Sequence, residues 1–375
     1  MIIRNALLMA AVLLIAAGCG PKPRTSESVL DNPDFHINQG MKLLERGDLN
    51  EAELSFEKAL ELDKRNASAV SGLALVEAGR GNYEEAYDLA NESVSLDSKS
   101  GLPIATRGRV KSLWKKGEEW GDSANEDFED ALKIGPNNER FLFWYGQAKA
   151  WQFEFADATM LFSRVIEIKG EYAKEADIEF ASIQKILRAG PGSRLGKKIA
   201  LLNEISRADL AVLFLEELKL REIFDRFTPK EYETDYAPPE GSAQVESKQV
   251  PADVVGHWAR TWILEVIDMG VMEVSPDGKF YPDQKVTRAE YALVLQNILI
   301  TVFDEPELAT KYIGETPRFK DMRSGTATYN AAALAVDRGV MQATVEGTFE
   351  PMKPVNGADA LLIIRQLQNY LKISF

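Results

Sequence analysis

Phe280-Tyr-Pro-Asp-Gln-Lys-Val-Thr-Arg-Ala-Glu290 decides how the C-terminal half of this chain is read. Its end, Thr287-Arg-Ala-Glu290, sets a threonine three residues ahead of a glutamate, just before an apolar run through Tyr291, Leu293, Val294, Leu295 and Ile298. That is a reciprocal helix cap: the threonine side chain accepts from an early backbone N–H, and the glutamate reaches back to the N-cap N–H. The spacing predicts a helix starting at Arg288. Nothing in the cap asks for an arginine at that place, so Arg288 is the residue that needs a reason.

The pattern recurs. Ser206-Arg-Ala-Asp209 stands 81 residues upstream and Asn356-Gly-Ala-Asp359 stands 69 residues downstream, each leading into an apolar run. Both begin with an N-cap former and carry an acid three residues on. Sixteen or seventeen residues before each cap, a glycine (Gly190, Gly270, Gly339) ends an earlier apolar helix. The C-terminal half is thus three copies of helix, glycine-bearing loop and capped helix.

Asp253-Val-Val-Gly-His-Trp-Ala259, Ile263, Ile267, Gly270-Val271, Gly278-Lys-Phe280, Pro282 and Val286 through Glu290 together resemble an S-layer homology repeat. Phe319-Lys-Asp321, Ala333, Gly339-Val340, Gly347-Thr-Phe349, Pro351 and Ala358-Asp359 resemble another. The first copy keeps Gly190 and the Ser206 cap but lacks the Phe-Pro element before it. The resemblance implies a pseudo-threefold helical prism over residues 173–375, with copies at about 173–220, 251–300 and 319–375 and a loop insertion at 228–250. It also implies grooves between copies that bind cell-wall polysaccharide or peptidoglycan-linked polymer. In that family the cap arginine is associated with the ligand, and the role carries over to Arg288 and Arg207, with Asp253, Trp258 and Asp321 as partners. The chemistry agrees, since helix N-terminal N–H groups beside a guanidinium fork suit a carboxylate. Gly357 replaces the arginine in the third copy, so at most two of the three grooves are expected to work. The alternative for the arginines is a surface salt bridge, worth at most about 1 kcal/mol. For His257 and Trp258 the alternative is that an aromatic opening a helix anchors it to the core.

Residues 33–172 repeat with a period of about thirty-four. Gly40, Gly47, Ala52, Phe56, Ala59 and Leu62 begin the series; Ala74, Gly81, Tyr83, Ala86 and Ala90 continue it. Gly108, Ala124, Phe128, Ala131 and Pro136 make a third copy, lengthened by four residues around Lys116 to Gly121. Tyr145, Gly146, Phe155, Ala158, Phe162 and Val165 make a fourth. The pattern resembles the tetratricopeptide repeat, so the chain is expected to be all-α, a four-repeat helical solenoid followed by the prism. The family's peptide groove would be lined by the first helix of each repeat, placing Arg109, Arg140, Phe143 and Gln147 there beside the aromatic run Phe141 to Tyr145. For Trp144 and Tyr145 the plainer role is core filling. A helix over Ala173 to Ala189 is expected to end the solenoid and open the prism at once.

At the N-terminus, Arg4, the apolar stretch Ala6 to Ala17 and Ala16-Ala-Gly-Cys19 resemble a bacterial lipoprotein signal peptide over residues 1–18, although Ala16 stands where that family usually has Leu. The stretch is too short to span a membrane as a helix. The resemblance implies lipidation of Cys19, a polar tether over 19–32 and, with Gly20 next rather than a retention aspartate, an outer-membrane location facing the periplasm. A signal peptide cleaved elsewhere is the alternative. Cys19 is the sole cysteine, which excludes an intrachain disulfide. A formal charge of −14 with no basic stripe argues against nucleic acid and against anionic membrane surfaces, leaving the lipid as the one membrane contact. Only His36 and His257 are available, in different domains, and no nucleophile elbow or zinc spacing occurs. Gly190 to Lys197 lacks the phosphate-loop spacing. A non-catalytic envelope protein without cofactor is therefore expected: a wall anchor that recruits a protein partner, or alternatively a pilotin-like assembly scaffold whose prism is purely structural.

Overall fold

The computed structural model describes residues 31–227 and 250–372. Cys19, the leader, all but the last two residues of the tether and the insertion up to position 249 lie outside them. Among the described residues there are sixteen α-helices and no strand. The chain divides into two compact units, the first ending at Asp177 and the second starting at Ile178.

The first unit is four helix pairs: α1 (Pro33–Arg46) with α2 (Leu49–Leu62), α3 (Ala67–Arg80) with α4 (Tyr83–Leu96), α5 (Gly101–Trp114) with α6 (Trp120–Ile134), and α7 (Glu139–Trp151) with α8 (Phe155–Ile168). Asn32, Asn66 and Asn138 cap first helices by accepting from the backbone N–H three residues on. Gly47 and Gly81 end them at φ of 82° and 84°, the left-handed geometry that glycine adopts without a steric penalty. Size complementarity joins the pairs. A Cβ on Gly40 would lie 2.6 Å from the ring of Phe56, and one on Gly72 would lie 2.3 Å from it, so the fully buried Phe56 ring is wedged between α1 and α3. Gly146 faces Phe162 in the same way. Where the second repeat has Ala74, it also has Ala90 in place of the phenylalanine, and both are fully buried.

The division between units falls inside α9 (Ala173–Ala189). Ile183 and Ile186 of this helix are buried, whereas Ile178 and Leu187 are exposed. The second unit continues with α10 (Arg194–Ala200), α11 (Arg207–Glu216), α12 (Leu220–Phe227), α13 (Arg260–Asp268), α14 (Arg288–Phe303), α15 (Ala327–Asp337) and α16 (Gly357–Tyr370). Gly190, Gly270 and Gly339 follow α9, α13 and α15 with positive φ, as the repeated spacing requires. The predicted caps form: Ser206 with Asp209 and Thr287 with Glu290 are complete capping boxes, and the Asn356 side chain accepts from Asp359 N at 2.8 Å.

Three backbone hydrogen bonds close the copies into a prism. Val286 N donates to Ile205 O at 3.0 Å, Val355 N to Val286 O at 2.9 Å, and Ile205 N to Val355 O at 2.9 Å. The three residues hold equivalent places immediately before the caps. Each copy gives one bond and receives one. The first copy departs in its loop, where α10 replaces the Phe-Pro element. Ser193 caps that helix, and the buried Glu217 accepts from Gly192 N and Ser193 N at 3.1 and 2.8 Å. The segment that superficially suggests a phosphate loop is thus filled by a carboxylate of its own unit.

Candidate functional site

Arg109 on α5 and Arg140, Phe143 and Gln147 on α7 all line one cavity of the first unit, about 710 Å³ in volume. The first helix of every repeat contributes to its wall, through Met41, Leu75, Arg109 and Arg140 among others. The Arg109 guanidinium lies 5.1 Å from the Trp151 ring centroid and 5.9 Å from that of Trp144, so an indole pair holds its charge within the groove. Phe143 is more deeply set than a ligand anchor would be. It is 8% exposed, with its ring 5.2 Å from Tyr172 and 5.8 Å from Phe162. Trp144 and Tyr145 are buried, and Tyr145 stacks on Phe128 at 5.3 Å.

Arg140 is not an open fork. Its Nε donates to Tyr172 Oη at 2.8 Å and its Nη2 to Glu45 Oε1 at 3.3 Å, while the Tyr172 hydroxyl donates to the same carboxylate. Glu45 lies on α1, so this clasp joins the first repeat to the fourth across the cavity. Burial opposes the charge on Arg140, but Tyr172 and Glu45 outweigh it and hold its pKa above the ordinary value. Burial pushes the Tyr172 phenol up, and Glu45 adds to the rise. Sequence reasoning missed Glu45 and Tyr172, because residues 127 positions apart leave no local trace of their contact.

In the second unit the cap arginines bind backbone carbonyls. Arg207 Nε donates to Phe280 O and its Nη2 to Glu273 O, both at 2.8 Å, with the guanidinium carbon 4.6 Å from the Phe280 ring centroid. Arg288 repeats this one copy later, with Phe349 O at 2.8 Å, Gln342 O at 2.7 Å and the Phe349 ring at 4.7 Å. The helix N-terminal amides are taken as well. Arg207 N and Ala208 N donate to Gln284 O and Pro282 O, and Arg288 N and Ala289 N donate to Lys353 O and Pro351 O. The Nε/Nη2 edge of each guanidinium is therefore filled by the next copy's loop, and burial lowers both arginine pKa values.

Asp253 and Asp321 serve the same loops. Asp253 accepts from Phe280 N and Tyr281 N at 3.1 and 2.7 Å, and Asp321 from Phe349 N and Glu350 N at 2.9 and 2.7 Å. Tyr281 and Glu350 sit at φ of 57° and 56°, a strained turn for non-glycine residues that these carboxylates hold in place. The absence of arginine from the third copy follows. A Cβ at Gly357 would lie 1.8 Å from Ile199 O, and Gly357 N donates to Leu202 O at 2.9 Å. The copy that Gly357 faces has α10 and no Phe loop to hold.

Trp258 is 54% exposed, 5.7 Å from His257 and 6.2 Å from Trp262 between ring centroids, so it does not anchor its helix to the core. Ile263 and Val266 fill that role, being fully buried, while the half-buried Trp262 donates from Nε1 to Glu216 at 2.9 Å. His257 is structural, accepting from Ala259 N at 3.1 Å. Beside Arg207 a groove of about 270 Å³ opens between Met272, Glu273, Glu290 and Asn297. Among the described residues no helix is long and apolar enough to cross a membrane.

Comparison with known proteins places these units. The tetratricopeptide-repeat family model matches residues 37–101, and the S-layer homology domain model matches 252–292 and 318–361. The chain thus carries a tetratricopeptide-repeat solenoid and S-layer homology repeats, both of non-catalytic families. Among relatives, "Cell surface glycoprotein 1" of Acetivibrio thermocellus is 31% identical over 113 residues, 29% of this chain and 5% of that protein. "Outer membrane protein SlpA" of Deinococcus radiodurans is 37% identical over 100 residues, 26% of this chain and 8% of that protein. "Surface-layer 125 kDa protein" of Lysinibacillus sphaericus is 26% identical over 110 residues, 29% of this chain and 8% of that protein. This chain therefore spans less than a tenth of the length of these relatives. S-layer homology repeats point to attachment at the cell surface, and tetratricopeptide repeats to protein interaction.

Proposed function

We propose that the protein is a lipid-anchored envelope adaptor, whose second unit grips a cell-wall polysaccharide or peptidoglycan-linked polymer while the first holds a peptide of a partner protein. The observation that carries this reading is the joining, in one chain, of S-layer homology repeats to a solenoid whose predicted groove residues share one cavity. Trp258 leads the wall contact, because an exposed indole beside Trp262 offers a flat apolar face to a sugar ring. Arg207 and Arg288 shape the grooves and hold the loops beside them. Lipid on Cys19 would fix the chain to the outer membrane on its periplasmic side.

A second reading keeps the activity in the solenoid, as a pilotin-like assembly scaffold. It is favoured by the engagement of both cap arginines with backbone carbonyls, which leaves the prism self-sufficient. Co-sedimentation of the full chain with purified sacculi separates the two. Binding that drops at least fivefold in Trp258→Ala, with an unchanged melting temperature, supports the anchor; no sedimentation of the unaltered protein favours the scaffold. Release of the protein from membranes by Cys19→Ser checks the lipid.

A further inference from the structure

The third tetratricopeptide repeat joins its helices by five residues, Lys115 to Glu119, where the first two repeats use Gly47-Asp48 and Gly81-Asn82. Two of the five, Lys115 and Gly117, have φ of 53° and 82°. The linker shares with α4, α5 and α6 a cavity of about 630 Å³ that the peptide groove does not use. Tyr87, Trp114 and Trp120 form its apolar walls; the first two rings meet as a corner, 5.9 Å apart and tilted by 47°. Glu84, Asp88, Glu118 and Glu119 line the same cavity and are exposed, and none of them forms an ion pair among the described residues. Lys111 also borders the cavity, but its charge is met by Asp127 at 2.7 Å and its Nζ donates to Ser123 O at 3.0 Å. Lys116 Nζ lies 4.1 Å from the Trp114 ring centroid, which shows that an ammonium fits against this wall.

An ammonium is drawn to an indole face by the ring quadrupole, and surrounding carboxylates deepen the attraction. We propose that this corner is a docking seat for a lysine side chain on a basic segment of a partner protein, with Lys116 occupying it while the partner is absent. The choice of a segment over a small amine rests on the spread of charge. One ammonium fills the corner, whereas four carboxylates on α4 and the linker call for several cations spaced along a chain. The lengthened linker supplies both the internal occupant and two of the acids, which accounts for an insertion that the repeat fold does not need.

The test is titration of the full chain with pentalysine by calorimetry, with Nε-acetylated pentalysine and lysine amide as controls. Removing the internal occupant in Lys116→Ala is expected to tighten pentalysine binding by about 2- to 30-fold, the range of one cation–π contact. Trp114→Leu is expected to weaken it by a similar factor, and the acetylated peptide is expected not to bind. Lys99→Ala makes the same charge change at an exposed site outside the cavity and is expected to leave affinity unaltered. Equal effects of Lys116→Ala and Lys99→Ala would reduce the seat to general attraction by an acidic chain and overturn the proposal. Lysine amide binding as tightly as pentalysine would overturn the segment as occupant. Circular dichroism checks that Trp114→Leu is folded; if it is not, the comparison of Lys116→Ala with Lys99→Ala decides.

Discussion

Replacing Arg288 by alanine removes two hydrogen bonds from a charged donor to carbonyls of the next copy, together with a ring contact. Hydrogen bonds to charged groups contribute roughly 1.5–3 kcal/mol each and are not additive, so a loss of about 2–4 kcal/mol is expected in urea unfolding. Arg288→Lys is expected to restore less than half of it, since a point charge cannot span Phe349 O and Gln342 O as a planar fork does. At Gly357 the steric margin is absent, and alanine there should cost more than about 3 kcal/mol in the same measurement, or prevent folding. These residues also mark the limit of what the sequence discloses. Thr287 and Glu290 declare their cap because both partners lie within one turn. The carbonyls that hold Arg288 are 54 and 61 residues further on, so its type is visible but its task is not. Trp258 illustrates the reverse: the sequence marks an aromatic at a helix start, and only packing decides that Ile263 and Val266 hold the helix to the core while the indole stays exposed.

Among the elements, α1 and α7 depend on each other through Glu45, Arg140 and Tyr172. The clasp makes the first unit sensitive to alkali. The folded Tyr172 pKa is raised, first by burial and then by the carboxylate beside it, as is that of Tyr145 beside Glu129. A raised acid pKa means that the native state keeps a proton the unfolded chain releases, so stability is undiminished below the unfolded value of about 10 and falls as pH rises past it. Thermal unfolding between pH 8 and 11 should show that slope, and Tyr172→Phe should flatten it; an unchanged slope would count against the clasp. The helix pairs were legible in advance because each repeats the same spacing of small and large residues, down to the match of Gly40 with Phe56 and of Ala74 with Ala90. The linker from Lys115 to Glu119 was visible only as extra length, since its path is set by two left-handed residues that no repeat pattern predicts.

The whole molecule combines two ways of extending a small unit. In the solenoid each repeat rests on its neighbours, so its ends differ from its middle and its stability is a sum of local terms. In the prism Ile205, Val286 and Val355 bond in a circle, and no seam can open without breaking a bond to each neighbour of the copy that moves. Native-state hydrogen exchange should therefore give the three amide protons one common opening free energy, and Arg207→Ala should lower all three together rather than only the seam it touches. The cyclic order has a further consequence for the gene. Copies arranged head to tail in a closed round keep the same neighbours under any cyclic shift, so which copy the ribosome delivers first is immaterial to the finished seams. A gene opened in the 228–249 segment and rejoined through its old ends, delivering the second copy first, should still yield all three seams. Deleting any one copy should yield none.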